Sequence, residues 1–138
     1  REAMSRYLPA FAAILLVMIA LDVLWLGFIA KPMYQNGIGH LMAERPNLWA
    51  AGAFYLLYAL GLTVFAVIPH ADDSGWSGTA SRAALFGLVA YATYDLSNLA
   101  TLKSWPIGLA LIDMAWGSAL SAMSAVAGRA AHGWSASG

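Results

Sequence analysis

The residues best suited to chemistry are concentrated in one stretch, residues 91–103, which lies within a hydrophobic part of the chain. It carries a carboxylate, an amide, two phenols and several hydroxyls, groups that can move protons or hold a polar ligand. At about 100° per residue, a helix would place five of its neighbouring residues along one stripe: Gly87, Tyr91, Tyr94, Asp95 and Asn98. Because lipid cannot satisfy such groups, the stripe predicts a site that faces protein or a water-filled cavity.

The composition predicts a membrane protein. The 138 residues are 61% hydrophobic and 10% charged, and their mean hydropathy is +0.67. A soluble domain carries about 25% charged residues. The net charge is zero and no run of basic residues occurs, so the sequence offers no nucleic-acid-binding surface. The chain has no cysteine, which excludes disulfides, a thiolate nucleophile and cysteine-bound metals.

Four hydrophobic segments predict an all-α integral membrane protein with one domain covering residues 1–138. The predicted spans are 8–30, 48–68, 83–102 and 107–128, each near the ~20 residues that cross ~30 Å of hydrocarbon. Prolines 46, 69 and 106 stand where these helices should begin or end. The short connections favour an antiparallel four-helix bundle. Between spans one and two, an interfacial segment is indicated by apolar residues at helical spacing: Tyr34, Ile38, Leu41 and Met42.

The ends and connections are expected to be simple. Residues 1–3 are interpreted as an expression remnant before a native start at Met4, residues 70–81 as an exposed loop that includes Asp72 and Asp73, and residues 129–138 as a flexible tail. Aromatic belts are expected at the two interfaces, formed by Trp49 and Trp105 on one side and by Tyr7 and Trp76 on the other. Excluding Arg1, three basic residues fall on each side, so the sequence leaves the orientation open.

The spans contain three acidic residues, Asp22, Asp95 and Asp113. Helical rise places each of them within ~5 Å of the middle of its span. Since spans one and three run in the same direction and span four runs back, all three carboxylates are predicted at one level, displaced toward the side of His40. Tyr55 of span two falls at that level too.

Two of these carboxylates share a local pattern. Asp22 and Asp113 each precede a tryptophan by three residues, Trp25 and Trp116, which places each pair on one helix face. Indole N–H and tyrosine O–H groups donate hydrogen bonds to carboxylates. In the simplest interpretation, such hydrogen bonds only hold the bundle together, at ~0.6 kcal/mol each.

Three neighbouring carboxylates cannot all stay charged inside a membrane without compensation. Three solutions are open: one or more is protonated, a cation binds, or a basic side chain approaches from the loop side. The candidates for that basic side chain are His40, Arg45 and Lys103. His40 and Asp95 are also the candidate catalytic residues. No metal site is predicted, because His70 and His132 lie on the opposite side and no Glu-x-x-His pair exists. No cofactor is indicated.

Small residues predict close helix packing in span four. Gly117, Ser121 and Ala125 recur every four residues, a spacing that lets another helix approach closely. Gly52 and Gly87 are candidates for the same role in spans two and three. A small-residue face also suggests a homodimer in the bilayer.

Several motifs resemble a family of small bacterial membrane proteins, domain-of-unknown-function family 2177 (DUF2177). The resemblance covers Met4 to about Gly128 and is carried by Asp22-x-x-Trp25-Leu-Gly27, Ile38-Gly-His40-Leu-Met42, Phe54-Tyr-Leu-Leu-Tyr58, Tyr91–Lys103 and Asp113-Met-Ala-Trp116-Gly117. The sequence departs from the pattern at Ser97, usually Thr, and at Ser104, often Gly. The resemblance implies a four-span protein of the bacterial inner membrane and supplies no activity to carry over.

These observations leave three functional hypotheses. The first is a small transporter or binding protein for a small-molecule or lipid-like ligand. The second is a membrane enzyme acting on a lipid or isoprenoid, although no nucleophile–base pair is visible. The third is a structural or assembly subunit. For the first hypothesis the predicted pocket residues are Asp22, Trp25, Tyr55, Tyr91, Tyr94, Asp95, Asn98, Asp113 and Trp116.

Overall fold

A computed structural model describes residues 5–71 and 76–137, with side chains described as far as residue 134. Residues 1–3, interpreted above as a remnant, lie outside the described residues, as do Asp72 and Asp73. The described chain is helical and contains no strand, which confirms the all-α class.

The described residues form five α-helices. They are α1 (Leu8–Leu24), α2 (Lys31–Ile38), α3 (Leu48–Leu62), α4 (Ser77–Thr101) and α5 (Ile107–Ser137). Two of them continue in wider π-helical turns, α1 through Trp25–Ile29 and α3 through Thr63–Val67. Single 3₁₀ turns follow at Gly39–Leu41 and Ile68–His70.

Local sequence accounts for the helix ends. Pro9 and Pro32 stand in the first turns of α1 and α2, where a missing N–H costs nothing. The Asn47 side chain caps α3 by accepting a hydrogen bond from the Ala50 N–H at 3.1 Å. The link between α4 and α5 turns sharply at Ser104, whose φ of 61° lies in the left-handed region. That region favours glycine, the residue the family pattern often has at this position.

Among the described residues, three helices are long and apolar enough to cross a membrane: Leu8–Ile29, Leu48–His70 and Ile107–Trp134. The third predicted span, 83–102, is not among them. Its helix, α4, has 25 residues and so would cross the hydrocarbon, but its polar residues lower its hydropathy. The structure therefore supports a membrane protein with three candidate spans.

Two boundaries differ from the prediction. Helix α4 begins at Ser77, within the predicted loop 70–81, and α5 continues through the segment 129–137 that was expected to be a flexible tail. The end of α5 is held against the start of α1. There, the rings of Tyr7 and His132 stack at 4.7 Å, and His132 Nδ1 hydrogen-bonds to the Arg6 carbonyl oxygen at 3.1 Å. Arg129 is buried with its guanidinium 5.1 Å from the Trp76 ring.

Helix α5 lies at the centre of the bundle and packs along both α4 and α1. The small residues Gly117, Ser121 and Ala125 are all buried, so they face the chain's own helices. A Cβ atom on Gly87 would overlap the Gly117 carbonyl oxygen and the Ser121 side chain, which shows how closely α4 and α5 approach. Gly52 has no such role, since no heavy atom would lie within 4 Å of an added Cβ.

Replacing Gly87 by alanine should therefore destabilise the bundle, because the methyl group would meet a backbone oxygen that cannot move independently. Overpacking of this kind costs about 1–3 kcal/mol. The measurement is thermal unfolding in detergent, followed by circular dichroism. Gly52→Ala is the matched control and should unfold at or above the wild-type temperature. Equal melting temperatures for Gly87→Ala and wild type would contradict the close packing.

Candidate functional site

Two tryptophans join α1 to α5 at the level of the aspartates. The indole rings of Trp25 and Trp116 stack with centroids 4.4 Å apart and planes 5° from parallel. Trp116 Nε1 donates to Asp22 Oδ1 at 3.0 Å. Trp25 Nε1 donates to the Tyr34 hydroxyl at 3.2 Å, and that hydroxyl donates to Asp113 Oδ1. Each tryptophan thus serves the carboxylate of the opposite helix, in one case directly and in the other through Tyr34.

Helix direction explains this exchange. Because α1 and α5 run in opposite directions, the two Asp-x-x-Trp motifs lie side by side in reverse order, so that each tryptophan comes near the aspartate of the other helix. Trp25 opens the π-helical turn at the end of α1, a feature often found at functional sites. Asp22 also accepts a hydrogen bond from the Tyr55 hydroxyl of α3 at 2.6 Å. Three helices are thereby joined through one carboxylate.

The third carboxylate, Asp95 of α4, is treated differently. Its side chain is only 1% exposed, and neither oxygen accepts a hydrogen bond of normal geometry from any described residue. Its neighbour is the Asp113 carboxyl, close enough for the two to share one proton. The buried Trp105 indole lies nearby, also without a hydrogen bond of normal geometry. Trp105 is therefore an interior residue rather than part of the expected aromatic belt, whereas Trp49 is exposed.

The predicted basic partners stay away from the carboxylates. His40, Arg45 and Lys103 are all exposed. In the described part of the chain, the charged group that acts on both Asp22 and Asp95 is Asp113, and no cationic side chain does so. Of the three solutions left open by the sequence, compensation by a basic side chain is therefore not the one this structure uses.

A cavity of about 560 Å³ opens beside these carboxylates, between α3 and α4. It exists because α3 packs on α4 mainly through its C-terminal turn Thr63–Val67, so that the two helices separate toward the Leu48 end. Helix α2 lies over that end, and Gly37 of this helix approaches Pro106 and Leu109. The wall is largely apolar. Two carboxylates, Asp22 and Asp113, line it together with five tyrosines: Tyr34, Tyr55, Tyr58, Tyr91 and Tyr94.

Six of the nine predicted pocket residues line this cavity: Asp22, Tyr55, Tyr91, Tyr94, Asp113 and Trp116. Trp25 and Asp95 lie behind the wall, in contact with residues that line it. Asn98 and the catalytic candidate His40 are not among the lining residues. Asn98 is partly buried one turn beyond Asp95, and His40 is exposed on the turn after α2. The structure therefore gathers the carboxylates and most of the aromatic residues but leaves the histidine out.

Sequence reasoning missed Tyr34 and Tyr58 as site residues. The sequence predicts Tyr34 on the interfacial face of its segment. Its helical spacing with Ile38 is the signal that could have identified it as a site residue, because both residues line the cavity. Tyr58 follows Tyr55 by one turn of α3, and its hydroxyl is 2.7 Å from Ser121 Oγ. Burial raises the pKa of Tyr34 above its ordinary value, and its hydrogen bond to Asp113 raises it further. Tyr34 therefore remains a proton donor at neutral and moderately alkaline pH.

A family model described as "Predicted membrane protein (DUF2177)" matches residues 7–130. The chain belongs to the DUF2177 family. This match confirms the family resemblance and supports a membrane location. The cavity and all three aspartates fall inside the matched region. Searches of curated proteins and of solved structures returned no match.

Replacing Tyr55 by phenylalanine should destabilise this DUF2177 protein. The change removes one of the two hydrogen bonds that Asp22 accepts and leaves a buried acceptor short of a donor, at a cost of about 1–3 kcal/mol. The measurement is thermal unfolding in detergent. Tyr94→Phe is the matched control, because the Tyr94 hydroxyl makes no hydrogen bond to the described residues. If both variants melted alike, the Tyr55–Asp22 bond would contribute nothing to stability.

Proposed function

We propose that this protein crosses the bacterial cytoplasmic membrane four times and binds a small or lipid-like ligand in the cavity between α3 and α4, as a binding or transport protein. The observation that carries the proposal is the cavity itself, about 560 Å³ of space with two carboxylates in an aromatic wall. Small-molecule sites commonly have volumes of about 300–1,000 Å³ and combine apolar walls with a few polar groups that orient the ligand.

The direction of the polar stripe on α4 supports a fourth span. Gly87 and Asp95 on this helix are buried, whereas Leu85, Val89 and Leu96 on its other side are at least half exposed. Hydroxyl groups on the helix are satisfied locally, as when Thr93 donates to the Val89 carbonyl oxygen at 2.7 Å. A helix with this pattern presents leucine and valine to lipid while its carboxylate faces protein.

Catalysis is less well supported than binding. The enzyme hypothesis needs His40 or one aspartate as a general acid or base at the cavity. His40 is exposed and does not line it, and the two carboxyls that do, Asp22 and Asp113, already accept hydrogen bonds from tyrosine and tryptophan side chains. Asp95 lies behind the wall with Asp113 between it and the cavity. A homodimer remains a prediction, and the ridge of Gly117, Ser121 and Ala125 would not be its interface, since all three residues are buried within the chain's own helices.

Four spans predict that Ser77 and Ser104, at opposite ends of α4, lie on opposite sides of the membrane. The chain has no cysteine, so Ser77→Cys and Ser104→Cys each introduce one unique thiol. In sealed inner-membrane vesicles, a membrane-impermeant maleimide should label one variant before lysis and the other only after it. Labelling of both variants from the same side would show that α4 does not cross.

Filling the cavity should remove its ligand. Ala90 lines the cavity, and Ala90→Trp would place an indole in it, whereas Ala100→Trp adds the same bulk at an exposed position of α4. Native mass spectrometry of gently purified protein should detect a bound lipid-like mass on the wild type and on Ala100→Trp, and none on Ala90→Trp. If the wild type carries no such mass, or if all three proteins carry it equally, the aspartates are structural and the binding proposal fails.

A further inference from the structure

We propose that the ligand is an amphiphilic organic cation, held with its charge beside Asp22 and Asp113 and its apolar body against the aromatic wall. This inference rests on the proposed binding function and specifies the chemical class of the ligand.

The carboxylates beside the cavity lack a positive partner among the described residues. Asp22 and Asp113 line the cavity, and Asp95 adjoins Asp113 without accepting a hydrogen bond of normal geometry from any described residue. No basic side chain of the described residues compensates them. An ionised carboxylate in hydrocarbon needs either a proton or a positive partner. Since the residues that the structure describes supply no positive partner beside these carboxylates, a bound cation is the remaining partner that would keep a carboxylate charged.

The wall of the cavity is rich in aromatic rings. Seven of the twelve lining residues are aromatic: five tyrosines, Phe54 and Trp116. Aromatic rings attract cations electrostatically, most strongly when both are removed from water. Neutral apolar ligands would also pack against these aromatic walls, but they would leave the carboxylates without a positive partner. A cavity that combines aromatic rings with carboxylates and lacks a basic residue is complementary to a positive, apolar molecule.

The site suits a bulky organic cation better than a small metal ion. No three His, Asp or Glu side chains converge closely enough to hold a metal ion among the residues that the structure describes. Asp22 already accepts two hydrogen bonds and Asp113 one, so neither is free to enclose a small, hard ion. A bulky cation with its charge spread over an organic group needs only proximity to a carboxylate. The volume of the cavity accommodates such a molecule.

The adjoining carboxyls of Asp95 and Asp113 can hold one proton between them, which would give the pair a second charge state. The other titratable groups that face it are the Asp22 carboxyl of α1 and three phenols, Tyr34 from α2 and Tyr91 and Tyr94 from α4. Phenols are uncharged near neutral pH, so the carboxyls alone change charge in that range. A cation and a proton therefore compete for the same carboxylates, and cation binding should weaken as the pH falls.

The test compares probes of one shape and different charge on the wild-type protein. Radiolabelled tetraphenylphosphonium is bound in non-ionic dodecyl maltoside and measured by equilibrium dialysis, with neutral tetraphenylsilane and anionic tetraphenylborate as competitors. We expect the cation to bind at least about tenfold more tightly than either competitor. Binding should weaken at least about tenfold between about pH 8 and pH 5, because protonation removes the carboxylate charge. A silane that competes as well as the cation, or pH-independent binding, would overturn the inference.

Variants locate the effect. Asp113→Asn and Asp22→Asn should each weaken phosphonium binding at least about tenfold, since each removes one charge at the cavity wall. Glu44→Gln removes one exposed carboxylate of the connection before α3 and should leave binding unchanged. If Ala90→Trp loses the copurified mass while phosphonium does not bind to the wild type, the ligand class is wrong and the binding function stands. If the copurified mass is also absent, both proposals fail.

Discussion

The crossed pairing of two tryptophans with two aspartates is the constraint on which the rest of the site depends. It fixes the rotation and the register of α1 against α5, because a shift of one residue turns a helix by about 100° and moves it by about 1.5 Å, enough to break the hydrogen bonds. The Trp25–Trp116 stack leaves the acceptor oxygens of Asp22 and Asp113 facing the region between α3 and α4. Tyr55 then ties α3 to Asp22, and Tyr34 ties α2 to Asp113. The cavity wall is a consequence of this set of bonds.

Much of this arrangement follows from helical geometry and could be predicted from the sequence. The rise of 1.5 Å per residue determines the depth of a residue once its span is known, and this is why the sequence predicts that Asp22, Asp95 and Asp113 lie near one another. Rotation between helices is a different matter. Whether Trp116 donates to its own Asp113 or to Asp22 depends on how α5 is turned toward α1, and this in turn depends on the packing of every residue along both helices. The role of Tyr34 was missed for the same reason. The Tyr34 hydroxyl reaches Asp113 only because α2 folds back over the carboxylates, and this depends on packing between helices.

Helix α4 shows where hydropathy and packing give different answers. Averaged along the chain, its Asp, Asn and hydroxyl residues lower its hydropathy, and it does not qualify as a span on composition. Resolved by face, Asp95 and Gly87 are turned toward α5, while Leu85 and Val89 are turned outward. Direct contact of Gly87 with Gly117 and Ser121 is what permits this, because a larger residue at position 87 would hold α4 too far away for Asp95 to adjoin Asp113. The small residues of α5 thus serve to bring a carboxylate into the interior.

The carboxylates differ in how well they are satisfied, and this difference bears on whether the polar layer is only structural. A buried polar group that serves packing alone should have its hydrogen bonds filled, as Asp22 does with two donors. Asp95 is equally buried, yet neither of its oxygens accepts a hydrogen bond of normal geometry from the described residues, although the Trp105 indole lies nearby. A second departure accompanies it, since α3 leaves α4 and opens a cavity beside the same carboxylates instead of closing onto them. A bundle selected for stability alone would gain by filling that space and by giving Asp95 a donor or an apolar replacement. A carboxyl group without a donor and an unfilled cavity occur at the same place. A ligand that supplies both the missing positive group and the missing apolar contacts explains the two features together.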